Sequence, residues 1–466
     1  MAKRSRKPAT TRAGYDDQTD VMFMATADGA KEALGRDDIL IGGQADELVV
    51  GLPLPALCLR YLAQSDVFPL GRVWQLAGEE GSCKSAFMVE IMRWHMVYGG
   101  GGVLIETENK DAPLLRRSVL EYNPKWLNRL QYIPANSLEE WQGALTATTK
   151  QFRLAMDKPG GPGRRAPIMF AVDSLTSVDS QSEIDKTQSA GFASRGYATI
   201  ANLISRYMRQ GQAGNFRGYP FSLVGTNHLK PSTDARGLPN DTIPGGKAVP
   251  FMATFMVVMK RIEDIDRLDH GGIRVSLKLQ KNSIGVSRKS IKADFLWWQE
   301  QVTDAAGKAF TRQRHVWDWH DASIGFLLDF ETSRDRKTLF KEISKIVDLR
   351  ASRSTKMVWS KALDIKESAP VPYRVAGQML EQRPELLQQL YPLLGINQYA
   401  KFQPGMDYRD MEAIASEAGA RETSNLYSQA VEMPQVVDQT KRRMKDDKSA
   451  EECAADDVEE EDVGSE

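Results

Sequence analysis

The stretch Gly78-Glu79-Glu80-Gly81-Ser82-Cys83-Lys84-Ser85 constrains this chain more than any other. It follows an apolar run, Val73–Ala77, that reads as a strand, and it opens a helical pattern in which Ala86, Phe87, Val89, Ile91 and Trp94 are apolar. A glycine-bearing loop between strand and helix, ending in Lys-Ser, lets backbone N–H groups and a helix N-terminus cradle phosphates. In such a loop Lys84 reaches the β- and γ-phosphates of a nucleotide and Ser85 ligates Mg²⁺. Cys83 departs from the pattern, because glycine usually precedes the lysine; a side chain there is expected to crowd the nucleotide or strain the turn. A thiol at a helix N-terminus beside a lysine is also expected to have a lowered pKa, so that alkylating Cys83 blocks nucleotide binding.

Downstream, short apolar runs alternate with helical patterns, which predicts an α/β fold with a largely parallel central sheet. Further strands are predicted at Val103–Glu106, Ile168–Val172, Phe221–Thr226, Phe255–Met259 and Val275–Leu279. Ser137-Leu138-Glu139-Glu140 has capping-box spacing, and Leu138, Trp141, Leu145, Phe152 and Met156 then share one helical face. Glu108 comes two residues after one strand and can serve as a general base, while Asp173 ends another and suits a magnesium carboxylate. Parallel strands that deliver a Lys/Ser loop, a Glu and an Asp to one sheet edge build a site in the usual place for such sheets.

Five regions are expected. Residues 1–20 form a basic, disordered arm; 21–68 a mixed segment with an apolar run at Ile39-Leu40-Ile41; 69–299 the α/β core. Residues 300–440 read as a separate, smaller C-terminal domain, and 441–466 hold a basic cluster followed by an acidic disordered tail. The formal net charge of −1 hides opposed ends, since the tail from residue 449 carries nine acids and no base. Without it, 61 bases face 53 acids, a net +8 that suits a polyanion partner with which the tail competes. Three widely spaced cysteines make neither a disulfide framework nor a zinc site, and no apolar stretch is long enough to span a bilayer. A soluble, intracellular chain with no membrane partner is expected. Trp297, Trp298, Trp317 and Trp319 are expected in the core or rim of a domain junction, and His95, His270, His315 and His320 show no metal-ligand spacing.

In order and spacing, Gly78–Ser85, Leu104-Ile105-Glu106-Thr107-Glu108, Val172-Asp173-Ser174, Thr226-Asn227-His228, Gly245-Gly246-Lys247-Ala248 and Lys281-Asn282 resemble the RecA family of strand-exchange recombinases. The resemblance runs from about Glu47 to Phe295. The non-glycine before the loop lysine, and His228 where bacterial RecA has glutamine, are similar to the bacteriophage UvsX-like branch. It implies a RecA-like P-loop ATPase core with a small N-terminal oligomerisation segment, ATP and Mg²⁺ as cofactors, and DNA-dependent ATP hydrolysis. Glu108 then corresponds to the catalytic glutamate, Asp173 to the Walker B aspartate, and His228 to the γ-phosphate sensor that signals to the adjoining DNA loop. Lys281 corresponds to a lysine that reaches a neighbouring subunit's ATP, Phe251 to an aromatic at that interface, and Asp111 to a residue near the adenine.

Two segments correspond to the DNA loops, about 180–191 and 229–246, where Lys186, Lys230 and Arg236 can neutralise phosphates beside Gly245 and Gly246. Neither loop holds an aromatic for base stacking. Ser283 replaces a second interface lysine and Pro250 another, while Ile39–Ile41 matches the strand that this family adds to a neighbour's sheet. The partners implied are single-stranded DNA, homologous duplex, further copies in a helical filament, and single-strand-binding and mediator proteins. The compartment implied is the cytoplasm, that of a bacterial host if phage-encoded. A RecA-fold hexameric helicase or motor, and an ATP-clamped coat of single-stranded DNA with little turnover, stand as alternative functions.

Overall fold

The apolar runs become the inner strands of one nine-stranded sheet. The computed structural model describes residues 49–108, 113–177, 218–229, 253–285, 288–303 and 307–411, with Thr26 and Phe216. The N-terminal half contains β1 (Val50–Pro53), α1 (Leu57–Ala63), β2 (Val67–Pro69), β3 (Val73–Gly78), α2 (Lys84–Val97), β4 (Gly101–Glu106), α3 (Pro113–Val119), α4 (Pro124–Leu127), β5 (Leu130–Pro134), α5 (Leu138–Asp157) and β6 (Ile168–Asp173). There follow β7 (Phe221–His228), β8 (Phe255–Asp266), β9 (Gly271–Asn282), β10 (Ser290–Thr303) and β11 (Ala309–Trp317). The chain then folds into α6 (Trp319–Thr332), α7 (Lys337–Val347), β12 (Arg350–Ser352), β13 (Met357–Trp359), β14 (Val371–Pro372), α8 (Tyr373–Glu381), α9 (Pro384–Leu394) and β15 (Ala400–Lys401).

The large sheet has the order β11-β10-β9-β8-β3-β7-β6-β4-β5. From β8 to β5 all neighbours are parallel, whereas β8 to β11 form an antiparallel meander. β3, β4 and β6 are buried along their whole length, as expected of strands covered on both faces. Strand β5 escapes the apolar-run criterion because it is an edge strand with Gln131 and Tyr132 exposed. On one face α5 buries Leu138, Trp141, Leu145 and Met156, with Phe152 partly covered. Its Ser137 cap accepts from the Glu140 N–H at 3.2 Å, and Glu140 reaches back one residue further than the usual box, to the Asn136 N–H at 2.6 Å.

On the other face, α2 packs against the chain's C-terminal part. The indoles of Trp317 and Trp319 stack at 4.9 Å between centroids, and both contact Phe87 at 5.6 and 5.4 Å. Glu90, buried in α2, accepts from the Trp94 and Trp319 indole N–H groups at 2.9 and 3.3 Å. The expected boundary at residue 299 falls inside β10, and β11 extends the same sheet beyond it. Residues Glu47–Ala415 form one compact unit. No helix among the described residues is long and apolar enough to cross a membrane. The expectations placed on Ile39, Leu40, Ile41, Asp111, Lys186, Lys230, Arg236, Gly245, Gly246 and Phe251 lie outside the described residues, as do those on both chain ends.

Candidate functional site

Because β3, β7, β6 and β4 are adjacent and parallel, their C-terminal ends lie along one edge of the sheet. The register pairs Gly78 with His228 and Glu106 with Asp173. β3 ends at Gly78, where a Cβ would lie 2.4 Å from Ser82 Oγ and 2.5 Å from the Met259 carbonyl oxygen, so no larger residue fits without displacing the loop. The Glu79 carbonyl accepts from Ser82 Oγ and from Lys84 Nζ, each at 2.7 Å. Lys84 is thereby folded back onto its own loop and buried.

Cys83 forms the N-cap of α2 with φ +62° and ψ +26°, the left-handed conformation that glycine adopts without cost. The position demands glycine-like geometry and the cysteine accepts it under strain. The expected lowering of its pKa is overturned. Burial pushes the thiol up to about 11, outweighing the opposing pull of Arg261 and then Lys84.

Across the cleft, His228 Nε2 lies 2.6 Å from Glu108 Oε1. An ionised carboxylate only accepts, so this contact assigns the proton to Nε2. Asp173 accepts from the Thr226 hydroxyl, and the Thr107 N–H donates to the Asp173 carbonyl at 2.8 Å. The Glu106 carboxylate accepts from the Glu108 N–H at 3.1 Å. Burial and then the neighbouring Asp173 raise its pKa to about 7.

These groups surround a cleft of about 260 Å³ lined by Glu80, Gly81, Ser82, Cys83, Lys84, Ser85, Glu108, Asp173 and His228. Leu115, Ile273 and Phe295 give it an apolar wall that sequence reasoning missed, since each reads as ordinary core. Thr226 belonged to the Thr226-Asn227-His228 motif, but its bond to Asp173 was not visible in the sequence. Lys281 is not in this cleft. It pairs with Met256 at the start of β8, whereas the loop lies level with Met259 and beyond, so it sits toward the opposite end of the sheet. Burial lowers its pKa. Two grooves of about 500 and 620 Å³ lie between the meander and the C-terminal helices, and several of their charges pair with one another. Arg274 forks onto Asp294 at 2.7 and 2.9 Å, Lys356 meets Asp321 at 2.9 Å, and Arg374 meets Asp318 at 2.6 Å.

No family model matches the chain. Among curated proteins, it is 24% identical over 293 residues to Protein RecA of Lactobacillus johnsonii, covering 61% of this chain and 75% of that protein. To Protein RecA of Enterococcus faecalis it is 21% identical over 285 residues, covering 61% and 76%. To that of Lactobacillus delbrueckii subsp. bulgaricus it is 22% identical over 293 residues, covering 61% and 82%. The mixed α/β architecture with its large, mostly parallel central sheet is consistent with a RecA-like core. Low-identity similarity across about three-fifths of the chain, joined to this fold, supports its membership of the RecA family.

Proposed function

We propose that this chain is an ATP-dependent DNA recombinase that polymerises on single-stranded DNA and pairs it with homologous duplex in recombination and repair. The observation that carries this reading is the convergence of Lys84, Ser85, Glu108, Asp173 and His228 in one cleft at the ends of four parallel strands. Similarity to RecA proteins supports the DNA part of it.

The residues fit a magnesium nucleotide: a loop at a helix N-terminus, a lysine, a hydroxyl, and a carboxylate held by Thr226. When bound, ATP supplies the anhydride to be cleaved and Mg²⁺ offsets its charge. Lys84 would exchange the Glu79 carbonyl for phosphate oxygens, and Ser85 with Asp173 would hold the metal. Glu108 would take a proton from the attacking water once His228 turns away from it toward the terminal phosphate. Because Leu229 N–H is tied to the Gly78 carbonyl at 3.0 Å, that turn would be transmitted into the following DNA loop.

Lys186, Lys230 and Arg236, with Gly245 and Gly246, would contact DNA. Lys281, Phe251 and Ile39–Ile41 would serve the interface with the next copy in a helical filament, where Lys281 would reach that copy's ATP. Cys83 and His228 favour the bacteriophage UvsX-like branch, acting in the host cytoplasm with single-strand-binding and mediator proteins.

The test is ATP hydrolysis with and without single-stranded DNA, alongside electron microscopy. DNA-stimulated turnover with open helical filaments is expected, and Glu108→Gln should lower turnover by about 10²–10⁴-fold. Closed rings with directional unwinding would replace this reading with a motor, and filaments without turnover would replace it with an ATP-clamped coat.

A further inference from the structure

We propose that Arg261 is a nucleotide-binding residue of this same chain, held in reserve by Asp264 and released onto the polyphosphate of a bound nucleoside triphosphate. The inference rests on the reading of the Gly78–Ser85 loop as a nucleotide site and adds to it a positive charge that the sequence pattern does not announce.

Three observations carry it. Strand β8 runs beside β3, pairing Met259 with Gly78, so the residues after Met259 continue past the end of β3 to the level of the loop. The guanidinium of Arg261 lies against that loop, with Nη1 3.5 Å from the position that a Cβ on Gly81 would occupy. The β8–β9 register shifts between Arg261 and Glu263, and such a bulge re-aims the side chains beside it.

The partner that now holds Arg261 is a weak competitor. Asp264 accepts from Nη2 of Arg261 through both carboxylate oxygens, but the two side chains are 45% and 62% exposed. A pair this exposed is screened and contributes little. A polyphosphate offers several charged acceptors to the planar fork of an arginine and would outcompete one exposed carboxylate. Arg261 would then face the phosphates from β8 while Lys84 faces them from the loop. Its opposition to the raised pKa of the Cys83 thiol, greater than that of Lys84, agrees with its place against the loop.

The test uses the full chain, Mg²⁺, and fluorescent ATP and ADP analogues, with Lys84→Ala as the control for the site. Arg261→Ala should weaken the triphosphate analogue about tenfold and the diphosphate less, and Arg261→Lys should recover part of the loss. Asp264→Asn, which frees the arginine, should tighten triphosphate binding severalfold, an opposite change that misfolding cannot produce. Unchanged triphosphate binding in Arg261→Ala, with binding lost in Lys84→Ala, would overturn the role of Arg261 and leave the loop as the nucleotide site. Binding that is absent from the parent chain, or indifferent to Lys84→Ala, would remove the nucleotide site itself and this inference with it.

Discussion

At the scale of single residues, Cys83 shows how a position's geometry outlasts its usual occupant. A non-glycine residue in the left-handed region costs about 1–2 kcal/mol, and glycine would return some of that through the greater freedom of its unfolded chain, about 0.4–1 kcal/mol. Cys83→Gly should therefore raise the unfolding free energy by about 0.5–1 kcal/mol, read from the denaturant midpoint, whereas Cys83→Ser, which keeps the strain, should not. A Cys83→Gly midpoint below that of the parent would remove the strain argument. Sequence reasoning expected a reactive thiol because it counted the helix terminus and Lys84 but not burial, and burial is the larger effect. The same blindness explains the rest of the site. Lys84, Ser85, Glu108 and Asp173 were legible as polar residues at the ends of apolar runs. The bond from Thr226 to Asp173 was not, since the Thr226-Asn227-His228 motif marks the residue without its partner, and Arg261 was not, since its nearness to the loop depends on the β3–β8 register.

Among elements, the joint between α2 and β7 carries a titratable group at its centre. His95 is fully buried; its Nδ1 lies 2.9 Å from the Ile91 carbonyl and its Nε2 lies 2.7 Å from Ser222 Oγ. A carbonyl only accepts, so Nδ1 carries the proton and the serine hydroxyl donates to Nε2. Burial lowers the ring's pKa from 6.5 to about 4. Between those values the unfolded chain binds a proton that the folded chain refuses, so this contribution to stability is present above pH 6.5 and is lost as pH falls toward 4. From pH 7 to pH 5 the loss from this one group should be about 2 kcal/mol. Denaturation at the two pH values should show His95→Gln losing less stability than the parent by about that amount, and equal losses would sink the assignment. Element by element, the parallel strands and the α5 cap were legible because each is a local pattern of apolar runs or capping residues. The β10–β11 hairpin was not. The outer half of β10 alternates exposed and half-covered residues and β11 opens on three exposed ones, which in one dimension looks like the start of another domain.

For the molecule as a whole, the question is whether residues beyond 299 unfold on their own. Helix α1 lies far from them in sequence, yet its Leu57 N–H donates to Glu381 Oε1 at 2.7 Å and its Arg60 meets Glu381 at 2.8 Å. The Cys58 N–H donates to Ser323 Oγ at 3.1 Å, and β15 pairs in parallel with β1. One continuous apolar core runs from Val50 through Phe87 and Trp317 to Met411. Among the described residues, the C-terminal part shares its core with the first strands and with the helix after the phosphate loop. Calorimetry should therefore show one cooperative transition for the Glu47–Ala415 unit. Glu381→Ala leaves Arg60 without its carboxylate and should destabilise by about 2–3 kcal/mol, discounted from the value for a fully buried pair because both side chains are slightly exposed. The whole transition should move with that variant. Two transitions, only one of them shifted by Glu381→Ala, would instead support the independent C-terminal domain that composition suggests.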